Sequence, residues 1–234
     1  KAILDALNSG QQLDRHYLRS TIHSTDAEAL KLVAEKYGVP INKVPFEKIR
    51  NFNVENHQGC IAVKSKIHYQ DLQDVISLIV EDGETPLLLM LDGITDIRNI
   101  GGIARSAYCC GVHAIIIPEK GVGTLNEDAI ATSAGALENI SVCRVKSLIN
   151  AIDEMHLNGI KVFASEMKAD TNIFDIDFKE PCAIIMGSED KGIQPVLYKA
   201  CDNRFKIPMK KDFESLNVSV AVGMILYEAM KQRM

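Results

Sequence analysis

The sequence predicts an α/β fold whose larger part is a parallel sheet covered by helices. Six apolar runs alternate with helical stretches in the second part of the chain, at residues 87–91, 113–117, 140–145, 160–164, 182–186 and 204–207. Runs that are apolar on both faces are typical of parallel strands buried on both sides. Of the 234 residues, 47% are hydrophobic and 24% are charged, which is enough apolar material for a large core. We therefore expect a doubly wound layer over residues 87–234 that binds ligands beyond the carboxyl ends of its strands.

A smaller α/β unit is predicted over residues 1–80. Thr25 and Glu28 have the spacing of a capping box and open a helix predicted over residues 26–37. Four further elements are predicted in order, namely a strand from 39, a helix over 45–52, a strand after the turn 57–59 and a connecting helix over 69–80. An acidic break with a glycine and a proline, at residues 81–86, is the predicted linker to the larger unit.

Composition and charge exclude several classes of protein. No apolar run approaches the roughly 20 residues of a membrane-spanning helix, and the N-terminus shows no apolar leader, so a cytoplasmic protein is expected. The six cysteines lack C-x-x-C spacing and nearby pairs of histidines, so we expect small buried thiols and no metal site. The net charge of -5 argues against indiscriminate binding to a polyanion, but it permits local basic patches.

Polar loops follow the first, fifth and sixth of the predicted strands. The first loop contains Asn99 and leads into a helix with Arg105, and its glycines fit neither the dinucleotide-binding nor the P-loop spacing. The second loop is an acid-rich turn between two glycines. The third reaches a helix entrance with Ser215, Asn217 and Ser219, which can cap the backbone or hold a ligand. Each loop alone is weak evidence, because any strand-to-helix turn needs glycine and polar residues.

Together the three loops resemble the three sequence motifs of the SpoU (TrmH-like) class of RNA ribose 2′-O-methyltransferases, in the SPOUT superfamily. The matching residues are Asp96, Asn99, Gly101 and Arg105 in the first motif, Gly187 to Gly192 in the second, and Ile207-Pro208-Met209 with Ser215-Leu216-Asn217-Val218-Ser219 in the third. Ile97 stands where the family usually has proline, and Gly102 stands where alanine is common. The likeness is greatest to the branch that methylates guanosine in 23S ribosomal RNA.

The resemblance implies a fold and a cofactor that the strand pattern does not predict. The C-terminal segment of the parallel sheet would thread through a loop to form a deep trefoil knot, which general topology rules treat as an exception. S-adenosylmethionine would lie in the knot, held mainly by backbone groups and apolar contacts. The resemblance assigns this site to Gly187, Ile207, Met209 and Leu216, with Ser188 and Ser165 as further neighbours.

The implied reaction moves a methyl group from S-adenosylmethionine to a ribose 2′-hydroxyl of RNA. The resemblance nominates Arg105 as the central catalytic residue, surrounded by Asn99, Glu189, Ser215 and Asn217. Because arginine is a permanent cation, our hypothesis is that Arg105 grips a phosphate and polarises the 2′-oxygen rather than acting as a general base. Without the motifs, Arg105 would be a surface arginine, Asn99 and Ser215 would be helix caps, and Glu189 would be only a first-turn acid that complements a helix dipole.

RNA is the expected partner, and the N-terminal unit is expected to bind it. That unit resembles the ribosomal-protein-L30e-like domain attached to many SpoU enzymes, through its small α/β pattern and its His57-Gln58-Gly59 turn. The chain begins inside a predicted helix, so the first strand of such a domain is expected to be missing. The residues expected to contact RNA are Lys36, Lys43, His57, Lys64 and Lys66, although solvated lysines on an ordinary surface give the same pattern.

The substrate and the oligomeric state are left partly open by the sequence. Large-subunit ribosomal RNA is the expected substrate, with tRNA as the alternative. Family members work as homodimers, and the C-terminal helix offers an apolar stripe that would serve either that contact or an internal core. The stripe consists of Val218, Val222, Ile225, Leu226 and Met230. A catalytically silent RNA-binding factor on the same fold and a Rossmann-type nucleotide enzyme are the competing functions.

Overall fold

The chain divides into two compact units, Lys1–Lys66 and Ile67–Met234. The computed structural model describes residues 3, 13–21, 25–36, 39–54, 57–123, 125–210 and 215–234 of them. Each unit has hydrophobic clusters of its own.

The smaller unit is a three-stranded sheet with helices. Its strand order is β2-β1-β3, with β1 parallel to β2 and antiparallel to β3. The elements are β1 (Leu13–Arg19), α1 (Thr25–Lys36), β2 (Ile41–Val44), α2 (Phe46–Arg50) and β3 (Cys60–Lys64). Both predicted helices and both predicted strands are present, while residues 37 and 38, at the predicted end of the first helix, lie outside the described residues.

The central strand β1 is missing from the predictions, and its polar residues explain why. Asp14 and His16 are 4% and 0% exposed, whereas a strand is recognised in a sequence by buried apolar positions. Neither ring nitrogen of His16 hydrogen-bonds to another described residue, and burial lowers the pKa of this imidazole to about 4. A neutral histidine therefore takes a core position that the pattern would assign to an apolar residue.

The two ends of this small sheet are set by its register. At one end, Arg19 of β1 lies opposite Val44 of β2, and its amide donates to the Gly59 carbonyl just before β3. At the other end, Leu13 of β1 lies opposite Lys64 of β3. Residues at or beside the termini of β2 and β3 therefore belong to one end of the small sheet or to the other.

The larger unit is built on an eight-stranded sheet in the order β4-β7-β6-β5-β10-β8-β11-β9, with parallel pairings. Its strands are β4 (Tyr69–Gln70), β5 (Leu87–Asp92), β6 (Ala114–Pro118), β7 (Ser141–Val145), β8 (Lys161–Ser165), β9 (Thr171–Asn172), β10 (Cys182–Gly187) and β11 (Asn203–Lys206). Its helices are α3 (Leu72–Glu81), α4 (Ile97–Cys109), α5 (Glu127–Thr132), α6 (Ala136–Asn139), α7 (Leu148–Leu157), α8 (Pro195–Ala200) and α9 (Val218–Arg233), with a 3-10 turn at Ile173–Asp175.

The parallel sheet predicted from the apolar runs is confirmed. The six runs correspond to β5, β6, β7, β8, β10 and β11, with small shifts at their ends. Strand β5 is buried over its whole length, and the sheet carries a separate hydrophobic cluster on each face. The strands are therefore apolar because helices cover them on both sides.

The boundary between the units lies earlier than the predicted linker at 81–86. The predicted helix over 69–80 begins instead with the short strand β4, which pairs with β7 of the large sheet. Asp71 then caps α3, whose buried residues join a cluster of the larger unit. A strand of two residues is too short to show a period, so the sequence pattern assigns this segment to the wrong unit.

Helix α9 packs on α4 and contributes to the core of the larger unit. Four members of the predicted stripe are buried, namely Val218, Val222, Ile225 and Leu226, while Met230 is half-buried. The internal-core alternative is therefore correct, and the assignment of this stripe to a dimer interface is wrong. A side-chain carbon at Gly102 would lie 3.3 Å from Cβ of Ser219, so a glycine lets the two helices approach closely. Like the other described helices, α9 is not both long and apolar enough to cross a membrane.

The cysteines match their prediction in part. All six are free thiols, and Cys143, Cys182 and Cys201 are buried as expected. Burial raises the pKa of the Cys143 thiol to about 12. Cys109 is exposed, so the prediction of buried thiols is wrong there, because this residue ends α4 on its outer side. Among the residues that the structure describes, no group of His, Cys, Asp and Glu side chains is arranged to hold a metal ion.

Candidate active site

A cleft of about 320 Å³ opens at the carboxyl ends of β8, β10 and β11. The loops after these strands and the chain that leads into α9 form its walls. The lining comprises residues 165–168, 186–189, 191–192, 206–207, 215–216, Val218 and Ala221. The cleft therefore lies at the edge of the sheet where a parallel α/β fold binds its ligands.

The turn after β10 is shaped by its two glycines. A side chain at Gly187 would overlap the backbone at Gly192, and Gly192 itself has a φ of +64°, which favours glycine. The Gly192 amide donates to the Ser188 carbonyl at 2.8 Å, and the Lys191 amide donates to the Ser188 hydroxyl at 3.3 Å. The glycines of the second motif thus close a tight turn that presents Glu189 to the cleft.

Glu189 gathers predicted catalytic residues from two other loops. Its Oε1 accepts hydrogen bonds from Asn217 Nδ2 at 2.7 Å, from Asn99 Nδ2 at 3.5 Å and from the Val218 amide at 3.0 Å. Asn217 Nδ2 also donates to Asn99 Oδ1 at 3.0 Å. We call Asn99, Glu189 and Asn217 the amide–carboxylate cluster. One residue from each of the three motifs therefore meets in a single hydrogen-bonded group.

Helix α4 is capped by Asp96 rather than by Asn99. The Asp96 carboxylate accepts from the Arg98 amide at 2.8 Å and forms an ion pair with the Arg98 guanidinium at 2.9 Å. These hydrogen bonds lower the pKa of Asp96 and raise the pKa of Arg98. The capping alternative for Asn99 is therefore wrong, and its side chain takes part in the amide–carboxylate cluster instead.

Helix α9 is capped by Asn217 rather than by Ser215. Asn217 Oδ1 accepts from the Ser219 amide at 3.1 Å and from the Ser219 hydroxyl at 2.6 Å, while Ser215 is exposed on the cleft lining. Glu189 also accepts from Val218, the first residue of this helix. The alternative of Glu189 as only a first-turn acid is wrong, because this residue lies in the turn after β10 and not in the first turn of α8 or α9. Its hydrogen bond to the start of α9 is still favourable for the dipole of that helix. The dipole does not account for two amide side chains on the same oxygen.

Arg105 lies on the exposed surface of α4, further along the helix than Asn99. No described residue forms a hydrogen bond or an ion pair with its guanidinium, and it is not part of the cleft lining. The residue that the resemblance nominates as central is therefore outside the amide–carboxylate cluster.

Most of the residues predicted to hold a cofactor meet at the cleft. Gly187, Ser188, Ser165, Ile207 and Leu216 line it. Met209 is half-buried and lies outside the lining that the described residues form. Charged lining residues absent from the predictions are Glu166, Lys168, Lys191 and Lys206. Their signal in the sequence is their position, because each lies in or beside a loop that follows a predicted strand.

The residues predicted to contact RNA fall at both ends of the small sheet. Lys43 near the end of β2 and His57 before β3 belong to the end where Arg19 lies. Lys64 and Lys66 belong to the opposite end, and Lys36 ends α1 shortly before β2 begins. These five residues therefore do not form one patch.

Comparison with known proteins identifies the family. The sequence model of the SpoU rRNA Methylase family matches residues 86–227. The putative TrmH family tRNA/rRNA methyltransferase YacO of Bacillus subtilis (strain 168) is 32% identical over 99% of this chain and 93% of that protein. The 23S rRNA (guanosine-2′-O-)-methyltransferase RlmB of Photorhabdus laumondii is 39% identical over 76% of this chain and 72% of that protein.

The fold agrees with that comparison. The SpoU methyltransferase AviRb from Streptomyces viridochromogenes, crystallised in complex with the cofactor AdoMet, superposes with a TM-score of 0.63. The match covers 99% of this chain and 87% of AviRb at 24% identity. The family expected from the three motifs is thereby confirmed: the chain belongs to the SpoU rRNA Methylase family.

Proposed function

We propose that this chain transfers a methyl group from S-adenosylmethionine to a ribose 2′-hydroxyl of structured RNA. The observation that carries the proposal is the amide–carboxylate cluster beside the cleft. A strand-to-helix turn needs one cap, and it does not need amide side chains from two other motifs on the carboxylate oxygen of a third. The names of the relatives, which are RNA methyltransferases, support the same reaction.

The cleft fits S-adenosylmethionine in size and in the chemistry of its lining. Its volume lies within the roughly 300–1,000 Å³ typical of small-molecule sites. Ile207, Leu216 and Val218 supply apolar surface for the adenine ring, and the turn at Gly187 supplies backbone groups. Acidic and basic side chains on the same lining complement the charged end of the molecule. When bound, the cofactor supplies a methyl group activated by a positively charged sulfur.

We assign to Glu189 and Asn217 the orientation of the reacting ribose. Oε1 of Glu189 takes the hydrogen bonds that described residues donate to this carboxylate, so Oε2 can accept one from the 2′-hydroxyl. Such a bond aligns the hydroxyl for attack, and Oε2 can take the 2′-proton as the bond from the oxygen to the methyl carbon forms and the bond from that carbon to sulfur breaks. Ser215, exposed on the lining, adds a hydroxyl that can hydrogen-bond to the ribose.

We propose that Arg105 binds the phosphate next to that ribose. The side chain is exposed, and no described acid neutralises it. A guanidinium presents a rigid fork of N–H donors that matches two phosphate oxygens. Loss of its proton would need an extreme pKa shift, so Arg105 acts as a clamp and not as a general base.

The trefoil knot and the homodimer belong to the same proposal. Strand β11 lies between β8 and β9, and the chain after it returns to line the cleft that opens after β8 and β10. This path supports a threaded C-terminal segment. For the dimer, α9 offers an exposed apolar stripe other than the predicted one, with Val220, Met224 and Tyr227 at 48%, 48% and 60% exposure.

The proposed substrate is a guanosine of large-subunit ribosomal RNA, gripped by the smaller unit and modified in the cytoplasm. The 39% identity to the 23S rRNA (guanosine-2′-O-)-methyltransferase of Photorhabdus laumondii supports this choice. Transfer RNA is the alternative, because the Bacillus subtilis relative that matches nearly the whole chain is described as a tRNA/rRNA methyltransferase.

Two measurements test the proposed function. Calorimetry is expected to show binding of S-adenosylmethionine and none of NAD; the reverse would favour a Rossmann-type nucleotide enzyme. Transfer of labelled methyl to ribosomal RNA and to tRNA, followed by mapping of the modified nucleotide, is expected to give a 2′-O-methylguanosine in ribosomal RNA. Methylation of a base would overturn the reaction, and RNA binding without any methyl transfer would favour the catalytically silent factor.

A further inference from the structure

The smaller unit carries an exposed aromatic surface that the proposed reaction does not use. It lies where β1 and β2 stop and β3 starts, and we call it the aromatic end. Its members are Arg19, Lys43, Phe46, Phe52 and His57. Phe46 and Phe52 are 41% and 37% exposed. Two exposed phenyl rings at one end of a small sheet indicate a ligand that offers flat apolar faces.

The rings are held in place by their neighbours. Cζ of Arg19 lies 4.9 Å from the centroid of the Phe46 ring, and the His57 ring lies 5.9 Å from that centroid. The Phe52 ring lies 4.9 Å from the Tyr17 ring, which packs against a core cluster. These contacts order the rings before a ligand arrives, and this lowers the entropic cost of binding.

Positively charged residues accompany the rings. Arg19 lies over the Phe46 ring, Lys43 is exposed near the end of β2, and Lys48 and Arg50 are exposed on α2, which begins at Phe46. The acid of α2 is Glu47. The whole chain has a net charge of -5, so this local excess of cations is not a consequence of overall composition. Cations beside ordered aromatic rings fit a polyanion with accessible aromatic faces, which is the chemistry of unpaired nucleotides.

We infer that the aromatic end binds unpaired nucleotides of the RNA substrate by stacking their bases on Phe46, on Phe52 and on the outer face of Arg19. The inference rests on the proposed function, since it takes RNA as the substrate, and it adds which part of the RNA the smaller unit contacts. An A-form duplex keeps its base faces inside the stack, so the phenyl rings gain nothing from it. A loop or a bulge offers those faces.

The opposite end of the same sheet provides a contrast within the unit. Lys64 and Lys66 are exposed there, and β1 separates the two ends by roughly 20 Å. Lysine side chains attract phosphates of any RNA, but they offer no aromatic face for stacking. We therefore expect the two ends to respond differently to paired and unpaired RNA.

The test measures the binding of two labelled RNAs to the whole chain by fluorescence anisotropy. One RNA is a hairpin with a long unpaired loop, and the other is a blunt duplex of similar length. We expect Phe46→Leu and Phe52→Leu each to weaken hairpin binding about tenfold and to change duplex binding by less than about twofold, as loss of base stacking requires.

Phe174→Leu removes an exposed phenyl ring from the larger unit and should leave both affinities unchanged. Joint substitution of Lys64→Ala and Lys66→Ala should weaken the binding of both RNAs by similar factors.

Several outcomes overturn the inference. Equal losses on hairpin and duplex would mean that the rings only support the surface, and an unchanged hairpin affinity would mean that they do not bind RNA. A change in the oligomeric state of the phenylalanine variants, with RNA binding unaltered, would identify a protein interface instead. Calorimetry with S-adenosylmethionine on the same variants separates the two proposals. Failure of the unsubstituted chain to bind the cofactor rejects the proposed function, whereas selective loss of hairpin binding with cofactor binding retained supports the aromatic end.

Discussion

The two ends of helix α9 are held in opposite ways. At its N-terminal end, the amide–carboxylate cluster joins side chains from three motifs on the cleft. At its C-terminal end, Arg233 donates to the carbonyl oxygens of Phe178, Thr85, Pro86 and Glu180, at 2.7, 2.6, 3.0 and 2.9 Å respectively. The end beside the cleft depends on exposed side chains, and the far end depends on backbone groups.

The contrast indicates which end of α9 serves chemistry and which end serves stability. Exposed amide and carboxylate groups can exchange partners when a ligand arrives, because water can replace each hydrogen bond. A half-buried guanidinium that donates to carbonyl oxygens makes bonds that are costly to break, since the acceptors would be left unpaired. We therefore expect substitutions at the first end to change activity and substitutions at the second end to change the free energy of unfolding.

The largest effect is expected for Glu189→Ala at the cleft end. Loss of the oxygen that orients Asn99 and Asn217 should lower methyl transfer about 10³-fold, equivalent to about 4 kcal/mol in the activation barrier. The measurement is kcat with saturating cofactor and RNA. Asp190→Ala, which removes the next acid of the turn, also exposed, is the matched control and should stay close to the unsubstituted rate. A decrease of less than tenfold for Glu189→Ala would contradict a central role for this carboxylate.

The second effect is expected at the far end, for Arg233→Ala. Removal of the guanidinium leaves its carbonyl acceptors without their charged donor, so the free energy of unfolding should fall by about 3 kcal/mol. Urea unfolding measures this loss, and binding of S-adenosylmethionine to the folded variant should be unchanged. Lys231→Ala breaks only a surface ion pair with Glu228 and should cost less than about 1 kcal/mol. Equal losses for the two variants would remove the contrast between the two ends.

The third effect is expected for Arg105→Lys, on helix α4, which packs beside α9. Lysine keeps the charge but loses the planar fork, so we expect transfer to fall about thirtyfold, or about 2 kcal/mol, with cofactor affinity retained. Arg98→Lys, on the same helix and paired with Asp96, serves as the control. Turnover of the Arg105→Lys enzyme close to that of the unsubstituted chain would rule out the phosphate clamp.

The smallest effect is expected for Asn217→Ser, which separates capping from catalysis at one residue. Serine caps a helix about as well as asparagine, so the free energy of unfolding should change by less than about 0.5 kcal/mol. Its hydroxyl cannot reproduce the amide that bridges Glu189 and Asn99, so transfer should fall about tenfold, which corresponds to about 1.4 kcal/mol. Full activity in this variant would mean that Asn217 is only a cap.

The same contrast explains what the sequence can predict. The cleft end of α9 is encoded in residue identities at fixed spacing, so Asn99, Glu189 and Asn217 could be nominated from three motifs. The far end is not encoded in this way, because the acceptors of Arg233 are backbone carbonyls, which every residue carries. Which residue caps each helix also depends on local geometry, and this is why Asp96 and Asn217 take roles that the sequence left open for Asn99 and Ser215.

The fold was predicted where buried positions are apolar, and it was missed where they are polar. The six apolar strands of the larger sheet were predicted because burial on both faces leaves a clear pattern. Strand β1 was not, since Asp14 and His16 are buried within it. The stripe that α9 buries was predicted, but the sequence could not decide whether it packs in the core or against a second subunit, because apolar residues occur almost all around this helix. Val222 is fully buried, while Val220 and Met224 are half exposed.

The short strands at the two margins of the large sheet have a further consequence for the chain in a crowded cell. Strands β4 and β9 contain two residues each and lie at opposite ends of the strand order. A long free margin would expose a row of unpaired amide and carbonyl groups on which another chain could add a strand and begin a fibre. Margins of two residues offer almost no such template. Such short margins disfavour growth of the sheet from one molecule to the next. We therefore expect any self-association of this unit to use helix faces and loops.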